Sequence, residues 1–144
     1  MESRESQERE YRFKLLGLVE GEARAPILVY PYSLSIYGEL DPETGAIRRE
    51  GAGNPAGKIL VFEKHRGSTV APYVLYGLSL RGRAPAGLVT VSREVDPILV
   101  AAAVMSKIPL AAGLPREAID TLRGSCTGVL RVEKGSGFLK ALCY

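Results

Sequence analysis

His65-Arg66-Gly67-Ser68-Thr69 is the stretch of this sequence best suited to chemistry. A guanidinium next to a hydroxyl can pair with a carboxylate or phosphate, and a glycine lets the backbone approach a ligand closely. A helical spacing follows at once, with apolar residues at Val70, Val74, Leu75 and Leu78 and with Pro72 in the first turn, where a missing N–H costs little. Free N–H groups at the start of such a helix favour an anion. The competing reading is structural: Ser68 and Thr69 as ordinary caps, Arg66 as a solvated cation. Ser33-Leu34-Ser35-Ile36-Tyr37-Gly38 is the second candidate. On an extended strand its two serines share a face, and Gly38 permits a tight approach. The plain alternative is the polar side of a half-exposed strand.

The remaining chemically able residues are few. His65, the only imidazole, could be a general base or a phosphocarrier, but it reads as a solvent-facing loop residue. A lone histidine gives no ground for a Ser-His-Asp arrangement, so any activation of Ser68 must come from cations, helix-end dipoles or a partner's groups. Cys126 and Cys143 read as unremarkable buried or terminal thiols, with no disulfide framework indicated. Two cysteines and one histidine cannot make a four-ligand zinc or iron–sulfur site, so no metal ligands are expected within the chain. Gly51-Ala52-Gly53 precedes a strand instead of following one, which rules it out as a dinucleotide loop.

The elements that must position these residues follow from pattern. Residues 1–10 are almost wholly polar and read as a solvated tail, leaving 11–144 as the domain. Tyr11, Phe13 and Leu15 alternate with Arg12 and Lys14 as in a half-buried strand, and Ala25 to Tyr30 forms a second one. Asp41-Pro42-Glu43-Thr44-Gly45 is a turn in which proline fixes φ and glycine takes a positive φ. Strands at about 58–63, 87–91, 109–112 and 127–132 then alternate with helices at about 70–80, 98–107 and 115–124. Asp96 caps the second of these helices ahead of Pro97. Strand–helix alternation implies parallel crossovers, so the expected class is α/β, a single β/β/α domain. Ligands in such folds bind beyond the carboxyl ends of the strands, where the Arg66–Thr69 loop is the best-placed segment.

Composition sets the outer limits. The chain has 144 residues, 46% of them hydrophobic and 24% charged, which suits one domain with a real core. Its 19 Lys and Arg against 16 Asp and Glu leave a net charge of +3, too weak a bias to argue for nucleic acid. No apolar run approaches the roughly 20 residues that cross a bilayer, and the N-terminus lacks the apolar stretch of a signal peptide. A soluble, cytoplasmic protein with no membrane association is expected.

Pro31-Tyr32-Ser33-Leu34-Ser35-Ile36-Tyr37-Gly38, Asp41 to Gly45, His65 to Thr69 and Glu94-Val95-Asp96-Pro97-Ile98-Leu99 occur in the order found in the aconitase X swivel domain. Over residues 11 to 132 the chain resembles that family, and within it the small subunits of archaeal phosphomevalonate dehydratases. The resemblance implies an aconitase-like swivelling β/β/α domain and a large catalytic subunit, paired as a heterodimer, that carries a [4Fe-4S] cluster. It also implies the dehydration of (R)-5-phosphomevalonate, a small phosphorylated hydroxy acid, to trans-anhydromevalonate 5-phosphate on the mevalonate route to isoprenoids. In that family the serine of the Arg-Gly-Ser loop, here Ser68, is the proton acceptor. Arg66, Gly67 and Thr69 would shape an anion pocket, with Ser33, Ser35 and Gly38 on the adjoining strand edge. The flanking positions depart from the glycine- and serine-rich family loop, with His65 before it and Val70-Ala71-Pro72 after it. A related hydro-lyase such as a cis-3-hydroxyproline dehydratase, and a phosphohistidine carrier, are the rival readings.

Overall fold

The computed structural model of the chain describes residues 8–144. Most of the polar N-terminal segment lies outside the described residues, and Arg9 and Glu10 already belong to a strand. In chain order the elements are β1 (Arg9–Val19), β2 (Gly21–Tyr30), α1 (Ile36–Glu39), β3 (Ile59–Phe62), α2 (Ala71–Leu80), β4 (Gly87–Thr90), α3 (Pro97–Ser106), β5 (Leu110–Ala112), α4 (Ala118–Leu122), β6 (Cys126–Glu133) and β7 (Ser136–Cys143).

The seven strands close into a barrel in the order β1-β5-β4-β3-β2-β6-β7, with β7 paired back onto β1. The ladders β2–β3, β3–β4 and β4–β5 are parallel, and the other four are antiparallel. The parallel half carries the helices. Ile59, Leu60, Val61 and Phe62 are all buried because both faces of β3 are covered, which is why a parallel strand reads as an unbroken apolar run. Ile59 and Val61 join Val89, Ala111, Leu130 and Leu139 in the barrel interior. Leu60 and Phe62 join Leu75, Leu78, Leu99 and Ala102 in the layer beneath α2 and α3. The two clusters give the β/β/α layering that the alternation implied, with the sheet closed on itself.

In the antiparallel half, Cys126, Gly128, Leu130 and Val132 of β6 alternate with more exposed residues, the period of two expected of a sheet with one wet face. The pattern reading stopped at this strand and missed β7. Between the two, Lys134 and Gly135 both take positive φ, 53° and 80°, the geometry of a tight hairpin turn. Lysine at the first position hides that turn, since asparagine or aspartate is the usual signal there.

Candidate functional site

The carboxyl ends of β2 and β3 deliver two loops side by side. Glu63 N–H donates to the Tyr32 carbonyl at 3.0 Å, Leu34 N–H to the Lys64 carbonyl at 2.9 Å, and Arg66 N–H to the Leu34 carbonyl at 3.0 Å. Both candidate segments therefore meet at one end of the barrel, zipped together by backbone bonds. Their internal conformations differ from what spacing alone predicts. Ser33 and Ser35 do not share a strand face: Ser35 is the N-cap of α1 and its hydroxyl accepts from Gly38 N–H at 3.2 Å. A polar side chain ahead of a helix start competes with strand formation through this bond, so the segment turns. Gly38 is an exposed helical residue, not a point of close approach.

Arg66 is anchored. Its guanidinium lies 3.2 Å from Glu39 Oε1, which also accepts from Ser35 N–H at 2.7 Å. Glu39 Oε2 accepts from the Tyr30 hydroxyl at 2.7 Å, and Arg49 reaches the same hydroxyl at 3.4 Å. Burial is the main cause holding the Tyr30 phenol above its usual pKa, with the Glu39 carboxylate adding to it and Arg49 opposing, so it remains a donor. The Arg49 guanidinium lies 3.9 Å over the Tyr32 ring and, with Arg123, lines a cavity of about 390 Å³ beside β2. Glu39, Tyr30 and Arg49 were not found by spacing: Glu39 is 27 residues from Arg66 and Arg49 is 19 from Tyr30, and none carries a motif. The one available signal was the acidic residue ending the Ser33–Gly38 segment.

Ser68 and Thr69 are not caps of α2. The N-cap is Val70, without a side-chain bond; Ser68 Oγ instead accepts from Val70 N–H at 3.2 Å in a local turn. Ser68 is half-buried and Thr69 exposed. Gly67 is required by a close approach, though to His65 and not to a ligand: a Cβ there would fall 2.2 Å from His65 Cε1 and 2.6 Å from Nε2.

His65 is not solvent-facing. Its side chain is 0% exposed, and Nδ1 lies 3.2 Å from Asp96 Oδ2. Asp96 works at both oxygens, since Oδ1 caps α3 by accepting from Ile98 N–H at 2.9 Å. Burial lowers the imidazole pKa below its ordinary value; Asp96 opposes that shift and Arg66 adds to it. Nε2 is buried and has no hydrogen-bond partner. A phosphohistidine needs a ring nitrogen that a donor can reach, and this buried ring offers none. The cap role of Asp96 was legible from Asp96-Pro97, but its bond to a residue 31 positions away was not.

The cysteines also depart from expectation. Cys126 and Cys143 face each other across the β6–β7 ladder and are joined as a disulfide; the missed β7 is what concealed the pairing. Among the described residues no group of three or more His, Cys, Asp or Glu is arranged to hold a metal ion. The described side chains therefore do not fit an iron–sulfur cluster. Among the described residues no helix is long and apolar enough to cross a membrane.

Comparison with known proteins is consistent with this architecture. The aconitase X swivel domain family model matches residues 12–141. The phosphomevalonate dehydratase small subunit of Aeropyrum pernix is 42% identical over 113 residues, 78% of this chain and 81% of that protein. Its counterpart in Pyrococcus abyssi is 44% identical over 102 residues, covering 68% and 74%. The crystal structure of Thermococcus kodakaraensis aconitase X in its holo form superimposes with a TM-score of 0.71 at 31% identity, covering 88% of this chain and 97% of that one. With most of its length matched by sequence and by fold, the chain belongs to the aconitase X swivel domain family.

Proposed function

We propose that this chain is the small subunit of a heteromeric hydro-lyase that dehydrates (R)-5-phosphomevalonate to trans-anhydromevalonate 5-phosphate, with Ser68 as the general base. The observation that carries the reading is the identity above 40%, over more than two thirds of both chains, to two proteins named phosphomevalonate dehydratase small subunit.

Loss of water from a β-hydroxy acid requires removal of the proton on the carbon next to the carboxylate. A serine hydroxyl is far too weakly acidic to be ionised in water near neutral pH. It becomes basic only in a dry cleft where positive charge and N–H groups stabilise the oxyanion. Two features support Ser68 in that part. It precedes the ten-residue helix α2, whose N-terminal end carries the positive pole of the helix dipole, and it stands two residues from a guanidinium. Arg66 is 61% exposed and held by Glu39, and Ser68 is half-buried, so this loop meets solvent in the chain alone. A large subunit closing over it would exclude water. The cluster implied by the family belongs, in this reading, to that large subunit, and the steps assigned to this chain do not involve it.

Replacing Ser68 by alanine tests the assignment. In the assembled enzyme Ser68→Ala should lower kcat by at least about 100-fold, the lower scale for loss of a general base, with the complex still forming. Turnover of phosphomevalonate near the unmodified rate would remove Ser68 from the chemistry.

A further inference from the structure

One buried group has no part in the reading above. His65 Nε2 is one of two side-chain nitrogen or oxygen atoms, among the described residues, that are buried without a hydrogen-bond partner; the other is Ser106 Oγ. Leaving such an atom unpaired is costly, so its place beneath the candidate loop calls for an explanation.

The geometry fixes what this atom is. An ionised Asp96 can only accept, so the proton of a neutral imidazole sits on Nδ1, 3.2 Å from Oδ2, and Nε2 carries the lone pair. The Gly67 backbone lies against this side of the ring, as the 2.6 Å between Nε2 and a Cβ at that position requires. The next residue is Ser68. Its oxygen accepts from Val70 N–H, while its proton goes to no acceptor among the described residues. An unused acceptor and an unused donor thus flank Gly67.

We propose that Asp96, His65 and Ser68 form a proton relay that is completed when the Arg66–Val70 loop closes in the assembled enzyme, with His65 as the positioning residue that activates Ser68. The inference rests on the reading of Ser68 as base. On closure the Ser68 O–H bond breaks, its electron pair stays on Oγ, and the proton passes to Nε2, giving an imidazolium paired with Asp96. Oγ then takes the proton next to the substrate carboxylate. The C–H electron pair becomes the double bond as the C–O bond breaks and hydroxide leaves. The imidazolium proton, released through solvent on opening, neutralises that hydroxide to water and restores His65. This supplies the activation that a lone histidine could not supply on sequence grounds.

The test uses the enzyme with its large subunit. Asp96→Asn keeps an oxygen for the Ile98 cap but presents an amide N–H to Nδ1, which moves the imidazole proton to Nε2. We expect kcat to fall at least about 100-fold with KM within about threefold. His65→Gln, which cannot take up a proton, should lose as much. Neither change should cost more when made on Ser68→Ala, because residues acting as a unit are not additive. Nitrogen-15 NMR of the full chain should find the neutral ring protonated at Nδ1, and at Nε2 in Asp96→Asn. A wild-type ring protonated at Nε2, near-normal turnover in either variant, or an undiminished loss on the Ser68→Ala background would each overturn the relay while leaving Ser68 in place. Full activity of Ser68→Ala would overturn both readings.

Discussion

His65 couples the candidate site to acidity through stability as well as through chemistry. In an unfolded chain its imidazole takes a proton near pH 6.5, whereas burial in the fold lowers that value. Between the lowered value and about 6.5 the unfolded state therefore binds more protons than the folded one, so stability is full above about pH 6.5 and declines as the pH falls through that window. The difference in unfolding free energy between the wild type and His65→Gln, followed by urea titration from about pH 8 to pH 5, should shrink toward low pH; a pH-independent difference would show that the ring is not held neutral. At this scale the sequence offered the loop and its serine as a candidate, since Arg66, Gly67 and Ser68 are contiguous. It could not locate Glu39 or Asp96 as partners, because both are brought in by tertiary contacts across 27 and 31 residues.

At the scale of elements, helices and strands with strong local grammar were legible and those without it were not. Asp96-Pro97 marked the start of α3, and the unbroken apolar run of β3 marked a strand covered on both faces. α1, a single turn, and β7, hidden behind a turn beginning with lysine, left no comparable trace. Missing β7 also concealed the Cys126–Cys143 bond, whose partners are 17 residues apart and lie opposite each other in the ladder. A cross-link closing a loop of that length restricts the unfolded chain by about 3 kcal/mol on the chain-entropy account. The double variant Cys126→Ser/Cys143→Ser should lose stability on that scale in denaturant titration. An unchanged midpoint would mean that the bond contributes nothing in the protein as prepared.

Over the whole molecule, one group of exposed apolar side chains lies on α1 and α2 beside the candidate site. Val70, Tyr73, Tyr76 and Leu80 on and ahead of α2 are exposed, Tyr73 at 72% and Leu80 at 70%, with Tyr37 exposed on α1, which packs on α2. Residues 73, 76 and 80 recur at helical spacing on one face, and aromatic residues of this kind often anchor interfaces. The relatives' name, small subunit, implies a larger partner, and this face adjoins the candidate loop. Tyr73→Asp should weaken assembly with the large subunit at least tenfold in a binding titration, leaving the thermal stability of the chain itself almost unaltered. An unaltered affinity would move the docking face elsewhere.

The closure of the barrel constrains how the chain can acquire its shape. Arg9 pairs with Cys143, so the first described strand finds one of its two neighbours only in β7. β2 likewise waits for β6 along one edge. Such distant pairings are entropically expensive and slow to form. During synthesis from the N-terminus, β1 and β2 must therefore each stay unsatisfied at one edge until β7 and β6 have left the ribosome, a window of exposure that open sheets built from consecutive hairpins avoid.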